Sequence, residues 1–139
     1  MLNNTLNTNE VKNRLGVEVE LSRLSTSDRR TEFAMIGESP ALPLRLSISH
    51  LETGKGIKQR RRSVVRFDKT VVSTVDSITP VTHSAYAVLD APVGAVTHMQ
   101  DAADVLAMLC SFLCTTGAGT TVLFDGTGNG SKALLEGGL

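Results

Sequence analysis

The chain lacks the marks of a membrane protein and of a disulfide scaffold. Its 139 residues hold no Trp, one Tyr, four Pro and two Cys. No apolar run approaches the ~20 residues that a membrane helix needs. The opening stretch MLNNTLNTNE has neither a basic nor an apolar segment, so no signal peptide is expected. Cys110 and Cys114 lie four apart in an apolar, helix-patterned run, with no companion Cys or His at metal-ligand spacing. They are expected to be free, buried core residues in a reducing compartment. What is present suits a single globular domain over 1–139: 41% of residues are hydrophobic and 20% are charged. Residues 1–10, polar and rich in Asn and Thr, are expected to form a flexible arm.

Charge is balanced in total and uneven in place. Lys plus Arg equals Asp plus Glu at 14 each, yet residues 55–69 carry seven basic side chains and one acidic, Asp68. A neutral protein with such a stripe can bind a polyanion locally, and it can equally be protecting an edge strand from aggregation.

Period-two alternation marks strands at Val17–Leu21, Thr31–Ile36, Leu42–Ser49, Gln59–Lys69 and Val81–Leu89. Ser25–Asp28, Gly37–Pro40 and Glu52–Gly56 read as breaks, and 70–80 as a loop or imperfect hairpin. Thr97 and Gln100 have capping-box spacing ahead of apolar residues at Ala102, Val105, Leu106, Leu109, Phe112 and Leu113. That spacing predicts an amphipathic helix of four to five turns, ended by Gly117-Ala-Gly119. Residues 125–131 read as a flexible loop, and Lys132–Glu136 as one last helical turn.

Strands followed by helix predict an α+β fold with an antiparallel sheet. Parity places Leu42, Leu44, Leu46 and Ile48 on one face with Val65, Phe67, Val81, Ala85, Ala87 and Leu89. The other face collects Arg45, Ser47, Ser49, Arg60, Arg62, Arg66, Thr82, Ser84 and Tyr86. Arginines for phosphate, hydroxyls for neutral hydrogen bonds and one aromatic for stacking make that face a candidate RNA platform. One helix is thin cover for the apolar face, which predicts a homodimer with Val105, Leu106, Leu109, Phe112 and Leu113 in the interface.

Catalytic and metal constellations are not expected. His50, His83 and His98 have no nucleophile or carboxylate at a useful spacing. Gly126–Lys132 lacks the spacing of a phosphate loop, and too little chain follows it. No cofactor is expected.

Three segments carry a family likeness: Arg61-Arg-Ser-Val-Val-Arg-Phe-Asp68, Thr82-His-Ser-Ala-Tyr-Ala-Val-Leu-Asp-Ala-Pro92 and the helix Asp101–Leu113. Together with the ending Ser131–Gly138 they resemble the coat proteins of single-stranded RNA bacteriophages, the levivirus group, over roughly residues 40–139. The resemblance implies an N-terminal β-hairpin, an antiparallel sheet and one long and one short C-terminal helix. It also implies an interlocked homodimer that builds an icosahedral (T=3) virion shell in the bacterial cytoplasm, around single-stranded genomic RNA and without a membrane. Its further implications are RNA contact through the nine polar-face residues and translational repression through an RNA hairpin. The loop near 70–80 matches the one around the symmetry axes. Val64 stands where the family often has Lys in its adenine pocket. The alternative reading is a dimeric RNA-binding regulator that forms no shell.

Overall fold

A computed structural model describes residues 2–116 and 121–137. The chain divides into two compact units, Met1–Asn7 with Glu20–Thr97 and Thr8–Val19 with His98–Leu139.

The first unit is an antiparallel meander of six strands in chain order. They are β1 (Thr5–Leu6), β2 (Leu21–Thr26), β3 (Arg30–Met35), β4 (Leu44–Thr53), β5 (Arg60–Val72) and β6 (Pro80–Ala91). The expected hairpin, β2–β3, is continuous with the sheet through the β3–β4 pairing. Pro43 lies just before β4 and Pro80 opens β6, where a missing N–H costs no interior ladder bond. The core lies on one sheet face. Leu21 and Phe33 are fully buried, and Leu6, Leu46 and Ala91 nearly so. Leu6 stands opposite Leu21, and Phe33 opposite Leu46, so the apolar parity read from the sequence is the packed one. That face continues across Phe67, Val65, Ala85 and Val81, but Val65 is 40% exposed and Val81 36%.

Residues 5 and 6 differ from the flexible-arm expectation. They pair with Ser22 and Leu21, while Arg23 donates to the Leu2 carbonyl at 2.6 Å. The strand expected at Val17–Leu21 begins only at Leu21. The Asn13 carboxamide accepts from the N–H groups of Leu15 and Val17, at 2.9 and 3.1 Å, and the Val19 N–H bonds the Val11 carbonyl. Residues 11–19 thus close a small turn of their own, and Val17 stays exposed, so of the alternating residues only Leu21, where β2 begins, is fully buried. Ser25 and Thr26, expected in a turn, extend β2 past a bulge at Leu24.

The β5–β6 loop, 73–79, is tied by Asp76. Its carboxylate accepts from the backbone N–H of Ile78 and Thr79, both at 3.0 Å, and from the Thr79 hydroxyl. Those bonds hold Asp76 down to about 2, the Thr79 hydroxyl contributing most.

In the second unit, α1 (Gln100–Leu113) is capped at Met99 with no side-chain cap bond. This overturns the Thr97–Gln100 capping box: the first turn closes through the Ala103 N–H to the Met99 carbonyl, too late for Thr97 to be the cap. After Cys114 the chain is extended. Strand β7 (Thr115–Thr116) pairs with β8 (Val122–Leu123), so α1 ends before Gly117, and the expected glycine stop lies outside the described residues. Helix α2 (Asn129–Glu136) is longer than the single turn expected and takes in the end of the supposed loop. Gly130 allows it: a Cβ there would sit 2.5 Å from the Phe112 carbonyl oxygen. The Ser131 hydroxyl also bonds the Leu113 carbonyl at 2.5 Å. The cysteines are free, but Cys110 is exposed and Cys114 half-buried, which corrects the buried-core expectation. The reason is that α1 contains no buried residue at all.

Two outcomes are expected. Leu6→Ala should lower unfolding stability by about 2–4 kcal/mol in a denaturant titration, because it opens a void against Leu21. An arm without a packing role would leave stability unchanged. Asp76 has a depressed folded-state value, so its stabilising contribution is complete above the usual 3.8 and fades as pH falls towards 2. Asp76→Asn should therefore lower Tm at neutral pH and flatten the acid limb over that window in a pH series of melts.

Candidate nucleic-acid interface

The face opposite the core is assembled by strand register. Arg45, Asp68 and Ser84 form one row across β4, β5 and β6. Ser47, Arg66 and Tyr86 form the next, and Ser49, Val64 and Val88 the third. Leu51, Arg62 and Asp90 follow, with Arg60 opposite Thr53, and Thr82 lies opposite Thr70 towards the other end. Residues directly opposite in an antiparallel pair share a side. All nine residues predicted from parity therefore occupy one face. Tyr86 is 67% exposed and stands opposite Arg66.

The electrostatics are more restrained than the basic stripe predicts. Arg45 is paired with Glu38, whose carboxylate also accepts from the Leu44 N–H at 3.0 Å. The Arg45 hydrogen bond, first among several causes, holds Glu38 below the usual carboxylate range. Arg60 Nε meets Asp90 at 2.9 Å. Arg66 Nε lies 3.0 and 2.9 Å from the two Asp68 oxygens, and its Nη2 donates to the Ser84 hydroxyl at 3.3 Å. The Arg66 bond and then the Ser84 hydroxyl hold Asp68 low, and Asp68 in turn raises Arg66. Of the four arginines predicted to meet RNA, only Arg62 has neither an ion pair nor a side-chain hydrogen bond among the described residues.

Sequence reading missed the carboxylates. Asp68 and Asp90 share parity with Arg66 and Tyr86, so the strand period could have placed both on this face. Glu38 reaches Arg45 from the loop before β4, and no periodicity reports that. The basic stripe is also split: Arg61 points to the other face, where it and Arg29 meet Glu52, each at 2.9 Å. Their hydrogen bonds lower Glu52, with Arg61 the larger cause.

The predicted interface residues Val105, Leu106, Leu109, Phe112 and Leu113 fall on one side of α1 by helical spacing. Val105 is 56% exposed and Phe112 63%. Among the described residues no cluster of His, Cys, Asp or Glu could hold a metal, and no helix is long and apolar enough to cross a membrane. His50 bonds the Ser63 hydroxyl at 2.8 Å through Nδ1.

No protein-family model and no curated protein sequence matches the chain. Solved structures do. The chain is similar to the bacteriophage EMS014 coat protein, with TM-score 0.64 and 14% identity over 87% of each chain. It is similar to the virus-like particle of Beihai levi-like virus 32, with TM-score 0.56 and 28% identity over 68% of this chain and 75% of that one. It is also similar to the bacteriophage GA protein capsid, with TM-score 0.53 and 18% identity over 87% and 85%. The chain thus has the coat-protein fold of the single-stranded RNA phages, and the resemblance carried by residues 61–68, 82–92 and 101–113 is borne out.

Replacing Arg60, Arg62 and Arg66 together by Ala should weaken RNA binding and flatten its salt dependence, measured as affinity against salt concentration. Arg62→Ala should give the largest single change, a slope reduction of about 0.7 for one lost phosphate contact on a single strand. An unchanged slope in the triple variant would contradict the assignment of this face.

Proposed function

We propose that the chain is the coat subunit of a single-stranded RNA phage, with residues 1–139 acting as one coat domain. Two copies join along their β6 edges into one sheet, and their helices interlock over its apolar face. Such dimers close into an icosahedral shell in the host cytoplasm, and the polar face meets the enclosed RNA. The part played is structural rather than catalytic. An RNA hairpin bound on the same face is the route to translational repression.

One observation carries this reading. β6 pairs with β5 through twelve unbroken residues, while its other edge has no partner among the described residues. It carries no Lys and no bulge, and its one proline, Pro80, stands at the first residue, so the rest of the edge lacks these blunting devices. Beside it lies the part of the apolar face where Val65 and Val81 are exposed. A second copy answers both needs at once, because an isologous contact brings a matching edge and a matching apolar surface. The apolar stripe of α1, equally exposed, supplies material for the cover. The fold's other holders in the comparison are a coat protein, a virus-like particle and a capsid, which supports a shell over a free dimeric regulator.

Negative-stain microscopy of the purified recombinant protein tests this. Uniform closed shells holding nuclease-protected RNA are expected, and small discrete particles at every concentration would favour the regulator. Phe112→Asp should abolish shells by placing a charge in the helix stripe, whereas shells formed normally by that variant would contradict the interface.

A further inference from the structure

We infer that Asp68 is a selectivity residue of the RNA-facing surface: it occupies Arg66 beside Tyr86 and so favours single-stranded RNA over other polyanions. The inference rests on the proposed RNA-binding role of this face and goes beyond it by naming what the face rejects.

The geometry is a competition built into adjacent rows. Both oxygens of Asp68 lie within 3.0 Å of Arg66 Nε, and the Ser84 hydroxyl holds the same carboxylate from β6. Ser84 also accepts from Arg66, so the three side chains form a closed ring. The Asp68 side chain is 29% exposed, partly withdrawn from solvent, while that of Arg66 is 48% exposed. A phosphate that takes Arg66 must displace this carboxylate or share the guanidinium with it. A ligand offering only phosphate loses at Asp68 much of what it gains at Arg66. Tyr86 stands directly opposite Arg66 with most of its ring in solvent. An unpaired base stacked there adds roughly ten- to hundredfold in affinity without engaging Arg66, so single-stranded RNA depends less on that guanidinium than a ligand that offers phosphate alone. Single-stranded RNA brings phosphate and base together, whereas a bare polyanion brings phosphate alone. Val64 and Val88, the next row, offer an apolar surface beside the ring and no further cation.

The test uses the full-length protein as wild type, Asp68→Asn, Arg66→Gln and the double variant. A single-stranded oligonucleotide and inorganic polyphosphate of matched charge are titrated at two salt concentrations. Asp68→Asn should tighten polyphosphate about tenfold and RNA about threefold, so that the preference for RNA falls. The gain should vanish in the Arg66→Gln background, because it acts through that guanidinium. Ser84→Ala, which removes one hydrogen bond to the carboxylate, should give a smaller gain in the same direction and covers the case in which Asp68→Asn misfolds. Unchanged polyphosphate binding, equal gains for both ligands, or a gain that survives Arg66→Gln overturns the inference. Wild-type protein that binds neither ligand contradicts the RNA-facing reading and the inference with it. Wild-type protein that binds both while Asp68→Asn alters neither overturns the inference alone.

Discussion

A twelve-residue β-strand with one bare hydrogen-bonding edge is the constraint around which the other features of this chain arrange themselves. β6 satisfies its inner edge completely against β5, from Arg61–Ala91 to Val72–Pro80. Its outer edge has no such partner among the described residues. At the opposite end of the sheet, β1 is only two residues long, which leaves little edge to protect. The asymmetry has a packing counterpart. The apolar face is buried at Leu6, Leu21, Phe33 and Leu46, and again at Ala91 where β6 ends, and it opens at Val65 and Val81 along the middle and start of the β5–β6 pair. Hydrogen-bonding capacity and apolar surface are left over at the same side of the sheet, which is where a second copy would be accommodated.

The opposite face follows from the same register. One alternation that sends Phe33, Leu46 and Phe67 to the core sends Arg66, Tyr86 and Ser47 outward. The surface that results is not a plain cationic plate. Glu38, Asp68 and Asp90 each occupy an arginine, so attraction to polyanions is moderated side chain by side chain. Exposed ion pairs of this kind add little to stability, so the role proposed for them is in which ligands can take the arginines over.

Much of this was legible in the sequence because the strands β3 to β6 alternate cleanly. Leu44–Ile48, Ser63–Phe67 and Val81–Leu89 have one parity each, and the register joins those parities without a slip. What could not be read depended on contacts that alternation does not encode. Val17–Leu21 alternates as well as any strand, yet Asn13 captures its backbone into a local turn. The short β1 has no pattern at all and is fixed by Leu6 reaching Leu21. Thr97 and Gln100 match a capping box by spacing, but the helix closes on Met99. At the candidate site the arginines were visible as a charge run. Of their carboxylate partners, Asp68 and Asp90 share the strand parity of Arg66 and Tyr86 and were within reach of the pattern, whereas Glu38 arrives from a loop that no alternation reports.

The pairing of two copies through β6 and the apolar surfaces beside it is the central claim. Native mass spectrometry of the smallest folded species left after gentle disassembly tests it most directly. The account predicts a species of twice the 14.8 kDa chain mass, with the β6 amides protected from hydrogen exchange and no folded monomer. A stable folded monomer at 14.8 kDa, with the outer edge of β6 exchanging freely, would contradict it.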